Sequence, residues 1–276
     1  MVRRLLSVTQ WSAIDEKLHQ AVDLHQSGKL EQAEQVYREI LCSTPKHADA
    51  LHLLGVVAYQ VGKYTVAVDL VSQAIGIDSE QSSYFNNLGN AFKKLGDLGE
   101  STQAYCRAIE IEPGYAEAHN NLGIVFTDLG KLDEALASCH AALEYKPDYA
   151  EAHYKLGIVV QALGNLDEAI TNYHNALKFK PKYVEAYNNI GSIFLSAGKL
   201  EKAEASFQKA LEYNPDYTEA HNNLGTVLYD MGKTDEALIC YQKALELKPD
   251  YADAHSNLGN LLKLIGKPND AVSCYL

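Results

Sequence analysis

The sequence predicts an all-α solenoid of antiparallel helix pairs, with seven full repeats and one partial repeat. Three sets of residues carry this reading. Prolines 45, 113, 147, 181, 215 and 249 fall on one lattice of 34 residues; the lattice point between the first two is Ser79, and only Pro268 lies off it. Glycine occupies the fifteenth position of every unit: Gly28, Gly62, Gly96, Gly130, Gly164, Gly198, Gly232 and Gly266. Small residues recur at the eighth position (Ala21, then Gly55, Gly89, Gly123, Gly157, Gly191, Gly225, Gly259) and the twentieth (Ala33, Ala67, Ser101, Ala135, Ala169, Ala203, Ala237, Ala271). A fixed period of this length marks a repeat architecture.

Counting back from each lattice point sets the repeats at 14–47, 48–81, 82–115, 116–149, 150–183, 184–217 and 218–251, with a partial eighth at 252–276. Residues 1–13 precede them as a short cap or frayed segment around Trp11. Proline ends each unit because it cannot continue a helix. The fifteenth position lies in the turn, where glycine takes a left-handed helix-ending conformation without steric cost. Positions eight and twenty are small because two antiparallel helices approach closely there. Apolar and aromatic residues such as Phe126, Tyr173, Phe194, Phe207 and Tyr241 fill the other helix-spaced positions. The tyrosines two residues after five of the prolines (Tyr115, Tyr149, Tyr183, Tyr217, Tyr251) pack between neighbouring repeats. Each helix is expected to run roughly 14 residues, about 21 Å. One such pair buries too little apolar surface to be stable, and stacking makes a continuous core.

These columns resemble the tetratricopeptide repeat family across residues 14–276. The resemblance implies a right-handed superhelix whose first helices line a concave groove. Positions five and six of successive units are Leu18-His19, His52-Leu53, Asn86-Asn87, Asn120-Asn121, Tyr154-Lys155, Asn188-Asn189, Asn222-Asn223 and Ser256-Asn257. Asparagine is a mediocre helix residue. Its amide can both donate to and accept from a peptide unit. Asn86, Asn87, Asn120, Asn121, Asn188, Asn189, Asn222, Asn223 and Asn257 are therefore the expected peptide-binding residues. The competing reading is that they brace neighbouring helices. The phrases 116–123 and 252–259 are similar to the superhelix of the O-linked N-acetylglucosamine transferases, where the same column contacts substrate backbones. Tyr154-Lys155 interrupts the ladder, and repeats one and two lack it.

The expected function is a protein-interaction scaffold holding an extended peptide, with no enzymatic activity. The alternatives are a substrate-recognition arm of such a glycosyltransferase, and a self-assembling scaffold joined through the open last repeat. One hydrogen bond contributes ~0.5–1.5 kcal/mol net. Association costs on the order of 4 kcal/mol or more, so a ladder of five implies weak, micromolar affinity. A carboxylate clamp would need basic residues gathered on adjacent first helices. Asn90, Lys93, Lys94 and Lys155 are the candidates, but Glu117, Asp128, Glu151 and Glu185 surround them in pattern.

A formal charge of −12, from 36 acidic and 24 basic side chains, disfavours nucleic acid and anionic membranes. The favoured partner is an extended protein segment that is not strongly acidic. No apolar run approaches the ~20 residues that span a bilayer. Five cysteines, an odd number without a CxxC pair, point to a reducing, cytoplasmic setting. Cys42, Cys106, Cys139, Cys240 and Cys274 read as inert despite His140 and His174 nearby in pattern. His119, His153, His221 and His255 share position four. Packed helices lie about 8–10 Å apart. Metal–nitrogen bonds are ~2 Å, so this column is structural. Glu117, Glu151, Glu185, Glu219 and Asp253 suit the first turn of a helix. No cofactor, metal or catalytic residue is expected. The partial last repeat leaves an apolar face to be covered, by further sequence or by another copy.

Overall fold

The computed structural model describes residues 8–275, all helices and connections. Its helices fall into two units, Met1–Pro147 and Asp148–Leu276. The first holds α1 (Val8–Gln26), α2 (Leu30–Ser43), α3 (Ala48–Gln60), α4 (Tyr64–Ile75), α5 (Ser82–Leu95), α6 (Leu98–Ile111), α7 (Ala116–Asp128) and α8 (Leu132–Tyr145). The second holds α9 (Ala150–Ala162), α10 (Leu166–Phe179), α11 (Val184–Ser196), α12 (Leu200–Tyr213), α13 (Thr218–Asp230), α14 (Thr234–Leu247), α15 (Ala252–Leu264) and α16 (Pro268–Tyr275). Residues 1–7 and the side chain of Trp11 lie outside the described residues. Residues 8–13 form the opening turns of α1.

The turn chemistry is as the glycine column requires. All eight fifteenth-position glycines have positive φ, between 68° and 89°. At the end of α5, Gly96 N–H donates to Lys93 O (3.1 Å) and Asp97 N–H to Phe92 O (3.0 Å). These bonds satisfy carbonyls that the helix end would otherwise leave open. Second helices stop before their prolines: α8 ends at Tyr145 and Lys146 N–H closes on Ala142 O before Pro147. Repeat two has Ser79 in place of proline and ends differently. Its α4 has 12 residues where α2 has 14. Asp78 then shapes the connection, its carboxylate accepting from Glu80 N–H (3.1 Å) and Gln81 Nε2 (3.0 Å). The off-lattice Pro268 opens α16, where its missing N–H has no helical partner to lose.

Within each unit, a first helix packs on the second helix of its own repeat, and that second helix packs on the next first helix. First helices of adjacent repeats also touch: α3 with α5, α5 with α7, α11 with α13, α13 with α15. Among the described residues, second helices make no comparable contact with one another. The first-helix side is thus the inner side of the curve in each unit.

The small column at position eight has a more specific cause than helix approach alone. A side chain at position 24 lies across it. A Cβ built on Gly157 would sit 2.6 Å from the Tyr173 ring, and one on Gly225 would sit 2.7 Å from Tyr241. Those distances exclude alanine without repacking. Tyr105, Tyr173 and Phe207 are fully buried by this arrangement. Ser101, the polar member of the twentieth column, is satisfied by donating to Gly89 O at 2.8 Å. Tyr183 is buried at the start of α11, and its ring meets Tyr154 of its own repeat at 4.6 Å between centroids.

Candidate peptide-binding face

The two asparagine columns occupy different environments. Position five is inside: Asn86, Asn120, Asn188 and Asn222 are 4–8% exposed. Position six, at Asn87, Asn121, Asn189, Asn223 and Asn257, is half-buried on the inner face. The sequence reading placed both columns on the surface. The structure withdraws the first of them, because a rotation of one residue around a helix turns position five into the inter-repeat seam.

The columns are joined to each other. Asn121 Nδ2 donates to Asn86 Oδ1 at 3.1 Å, Asn223 Nδ2 to Asn188 Oδ1 at 3.1 Å, and Asn257 Nδ2 to Asn222 Oδ1 at 3.0 Å. Where position five is not asparagine, another acceptor stands in. Asn87 Nδ2 donates to His52 Nε2 at 2.8 Å, and Asn189 Nδ2 lies 3.3 Å from both the Tyr154 and Tyr173 hydroxyl oxygens. All of these but the contact with Tyr173 link residues 35 apart, from one first helix to the next; Tyr173 reaches Asn189 from the second helix α10. Asn120 Oδ1 is the exception, buried without a hydrogen-bond partner. The bracing role expected as the competing reading is thus present in the donor half of the position-six amides.

His52 belongs to the same seam. It is buried, packs against Tyr84 at 4.3 Å between ring centroids with the rings tilted by 31°, and accepts from Asn87. Burial pulls its pKa down to about 4, against a smaller upward pull from Asp49. The ring is neutral, as the hydrogen bond to its Nε2 requires.

The position-four histidines are held in place by the chain itself. The Nε2 atoms of His119, His221 and His255 lie 2.9, 2.7 and 2.8 Å from the carbonyls of Pro113, Pro215 and Pro249. His119 stacks on Tyr145 and His153 on Phe179, with centroids 5.8 and 5.7 Å apart. At position two, Glu117 pairs with Lys146 at 2.9 Å and Glu151 with Lys180 at 3.1 Å. Of the clamp candidates, Asn90 accepts from the Tyr105 hydroxyl at 2.7 Å, and Lys155 lies over its neighbour Tyr154. Lys93 and Lys94 lie in the last turn of α5. Burial, aided by Glu236, raises the Cys240 thiol to about 11, and burial also raises Cys106. Raised thiol pKa values suppress the nucleophilic thiolate.

Residues 89–129, 123–164, 161–197, 191–232 and 225–266 match the TPR repeat family, and residues 18–82 match a second tetratricopeptide repeat family. The chain belongs to the tetratricopeptide repeat family. Repeats of this kind generally mediate protein–protein interactions. Tetratricopeptide repeat protein 7B of Homo sapiens is 31% identical over 78 residues, 28% of this chain and 9% of that protein. Among solved structures, the APC/C hetero-tetramer Cut9-Hcn1 superposes with a TM-score of 0.76 at 18% identity, covering 88% of this chain and 48% of that one. A tetratricopeptide repeat protein from Parabacteroides merdae gives 0.69 at 17% identity, covering 91% and 99%. YrrB, described as a TPR protein with an unusual peptide-binding site, gives 0.53 at 23% identity, covering 67% and 95%. These likenesses show the fold. The chain spans under a tenth of the first relative's length and about half of the Cut9-Hcn1 chain. Among the described residues, no TPR helix is long and apolar enough to cross a membrane.

One group of site residues escaped the sequence reading. The hydroxyls of two position-24 tyrosines reach the first helices from beneath while staying buried: Tyr173 donates to Gln161 Oε1 at 2.7 Å and Tyr105 to Asn90 Oδ1. The signal available in the sequence was the aromatic column itself, with its two exceptions, Val71 and Cys139.

Proposed function

We propose that this protein is an interaction scaffold that holds an extended protein segment along its first-helix face, using the position-six asparagines as backbone contacts. One observation supports this most directly. Nδ2 of each position-six amide is committed to the neighbouring repeat, while Oδ1 of Asn87, Asn121, Asn189 and Asn257 takes no donor among the described residues. The brace thereby orients a row of acceptors at half-exposed positions. Backbone N–H groups of an extended segment are the matching donors, and they are the same for any sequence. The net charge of −12 favours a segment that is not strongly acidic.

The test compares two kinds of variant against a peptide library. Asn121→Ala and Asn257→Ala remove the surface oxygen and the brace together. Asn86→Ala and Asn222→Ala remove the brace from the buried side and leave the surface oxygen. Loss of bound peptides in the first pair, beyond that in the second at matched thermal stability, supports the reading. Equal loss in both pairs assigns the asparagines to packing alone.

A substrate-recognition arm of a glycosyltransferase would use the same asparagine face. It is favoured if the captured segments are enriched in serine and threonine acceptors. Self-association through the last repeat has in its favour the exposed side chains of Leu264, Ile265 and Val272. Sedimentation at rising concentration, with Leu264→Ser and Val272→Ser as controls, decides it.

A further inference from the structure

Position 24 is an internal ring in most repeats. In repeats three, five, six and seven the ring lies flat against the position-eight glycine, with built Cβ distances of 2.6–2.7 Å to Tyr105, Tyr173, Phe207 and Tyr241. The phenol oxygens of the tyrosines end among polar groups of the first helices. Tyr173 is the fullest case: its hydroxyl donates to Gln161 and lies 3.3 Å from Asn189 Nδ2. Each of these repeats fills its own inner seam with its own aromatic side chain.

Repeat two does not. Its position 24 is Val71, whose Cγ2 would lie 2.7 Å from a Cβ on Gly55. The helices α3 and α4 therefore close to the usual distance, but no ring extends beyond the valine. A cavity of about 160 Å³ remains, lined by Gly55, Ala67 and Val71 together with Val56, Tyr59 and Asn87; the amides of Gln60 and Asn90 also line it, their oxygens already held by His25 and by the Tyr105 hydroxyl. The register is that of the filled repeats. Gly55 corresponds to Gly157, Val71 to Tyr173, Tyr59 to Gln161 and Asn87 to Asn189. An apolar cavity of ~150 Å³ accepts one benzene ring. Val56, Tyr59 and Asn87 are only half-buried, so the cavity opens between α3 and α5 on the asparagine face.

We propose that this cavity is a receptor pocket for one tyrosine side chain of the bound segment, which takes the place of the ring that repeat two lacks. This rests on the peptide-binding reading above. Three features select the occupant. The volume suits a single six-membered ring. The floor is apolar and shaped, in repeats three, five, six and seven, around a phenyl or phenol group. At the mouth, Asn87 commits Nδ2 to His52 and keeps Oδ1 as an acceptor for a phenol O–H. Tyrosine is therefore preferred to phenylalanine, and either to a branched aliphatic side chain. The pocket gives one fixed anchor to a groove whose other contacts ignore sequence.

The probe is p-cresol, the tyrosine side chain as a free molecule, with toluene as the comparison. It is titrated into the whole chain and followed by ligand-observed NMR. The expected result is saturable binding to the wild type, tighter for p-cresol than for toluene, and at least tenfold weaker binding to Val71→Tyr, which fills the cavity from within. Tyrosine-bearing segments recovered from the peptide library should lose at least tenfold affinity for Val71→Tyr. They should lose a similar factor when their tyrosine becomes alanine, with little further loss when both changes combine. Should Val71→Tyr misfold, displacement of bound segments from the wild type by p-cresol tests the same contact without a variant. Absence of p-cresol binding, or equal binding by Val71→Tyr, overturns the pocket while leaving the peptide reading intact. Val71-dependent p-cresol binding by a chain that captures no segment overturns the peptide reading and this proposal with it, leaving a site for a free aromatic molecule.

Discussion

Asn223 on α13 donates its amide to the buried Oδ1 of Asn188 on α11 at 3.1 Å and accepts from Asn222 Nδ2 at 3.4 Å, so one half-buried side chain braces two buried ones. The two residues do different work although both are asparagines on adjacent columns.

Their substitution should expose the difference. Asn223→Ala leaves Asn188 Oδ1 buried without a donor and should destabilise the chain by ~1–3 kcal/mol. Asn188→Ala removes the acceptor and leaves Asn223 half-exposed, where water can replace the lost partner, so it should cost less. Denaturant unfolding of the two single variants and the double variant measures this. The double variant should fall short of the sum of the singles, as for any directly bonded pair.

His52 makes stability depend on pH. Its pKa is about 4 when folded against 6.5 when free. Above pH 6.5 neither state is protonated and there is no penalty. Between pH 6.5 and 4 the unfolded chain takes a proton that the folded chain refuses, so stability falls as pH falls. The loss is on the order of 3 kcal/mol across that window. His52→Asn places at position five the residue found in repeats three, four, six and seven, which can still accept from Asn87. That variant should lose less stability than the wild type between pH 7 and 4.5 in urea titrations.

Glycines of the eighth column should rank by what lies over them. An added Cβ at Gly157 would meet the Tyr173 ring at 2.6 Å, and at Gly123 it would meet Cys139 Sγ at 3.1 Å. Gly157→Ala should therefore destabilise by ~1–3 kcal/mol, with a smaller effect from Gly123→Ala. Melting temperatures of the two variants, measured side by side, check the order.

Thiol labelling should follow exposure and pKa. Cys42 is exposed, Cys139 is buried, and burial lifts Cys240 to about 11. Iodoacetamide at neutral pH should modify Cys42 first and leave Cys139 and Cys240 unmodified in the folded chain. Peptide mapping by mass spectrometry reads this directly. Rapid labelling of Cys240 would contradict its surroundings.

The fold was legible because helix ends impose residue types that no tertiary context can replace. Gly96 must be glycine-like at φ 82°, and Pro147 cannot continue α8. The site was legible only in part. Asn188 and Asn189 are equally polar in sequence, and one residue of helix rotation decides which is buried. The void beside Val71 is a difference between a valine and the rings of other repeats. Its meaning depends on α3 and α4 closing to the same distance in both cases.

Bonds that run from one first helix to the next across 35 residues make the chain tolerant of one kind of change in length. Removing residues 184–217 would bring Asn223 to the place Asn189 holds now, beside the Tyr154 and Tyr173 hydroxyls that already serve as its counterpart's acceptors. A deletion of any length that is not a multiple of 34 would misalign the amide pair that spans it, while pairs lying wholly on either side keep their spacing. The arrangement is grammatical rather than pairwise: a whole clause can be dropped or duplicated, and the words on either side still agree.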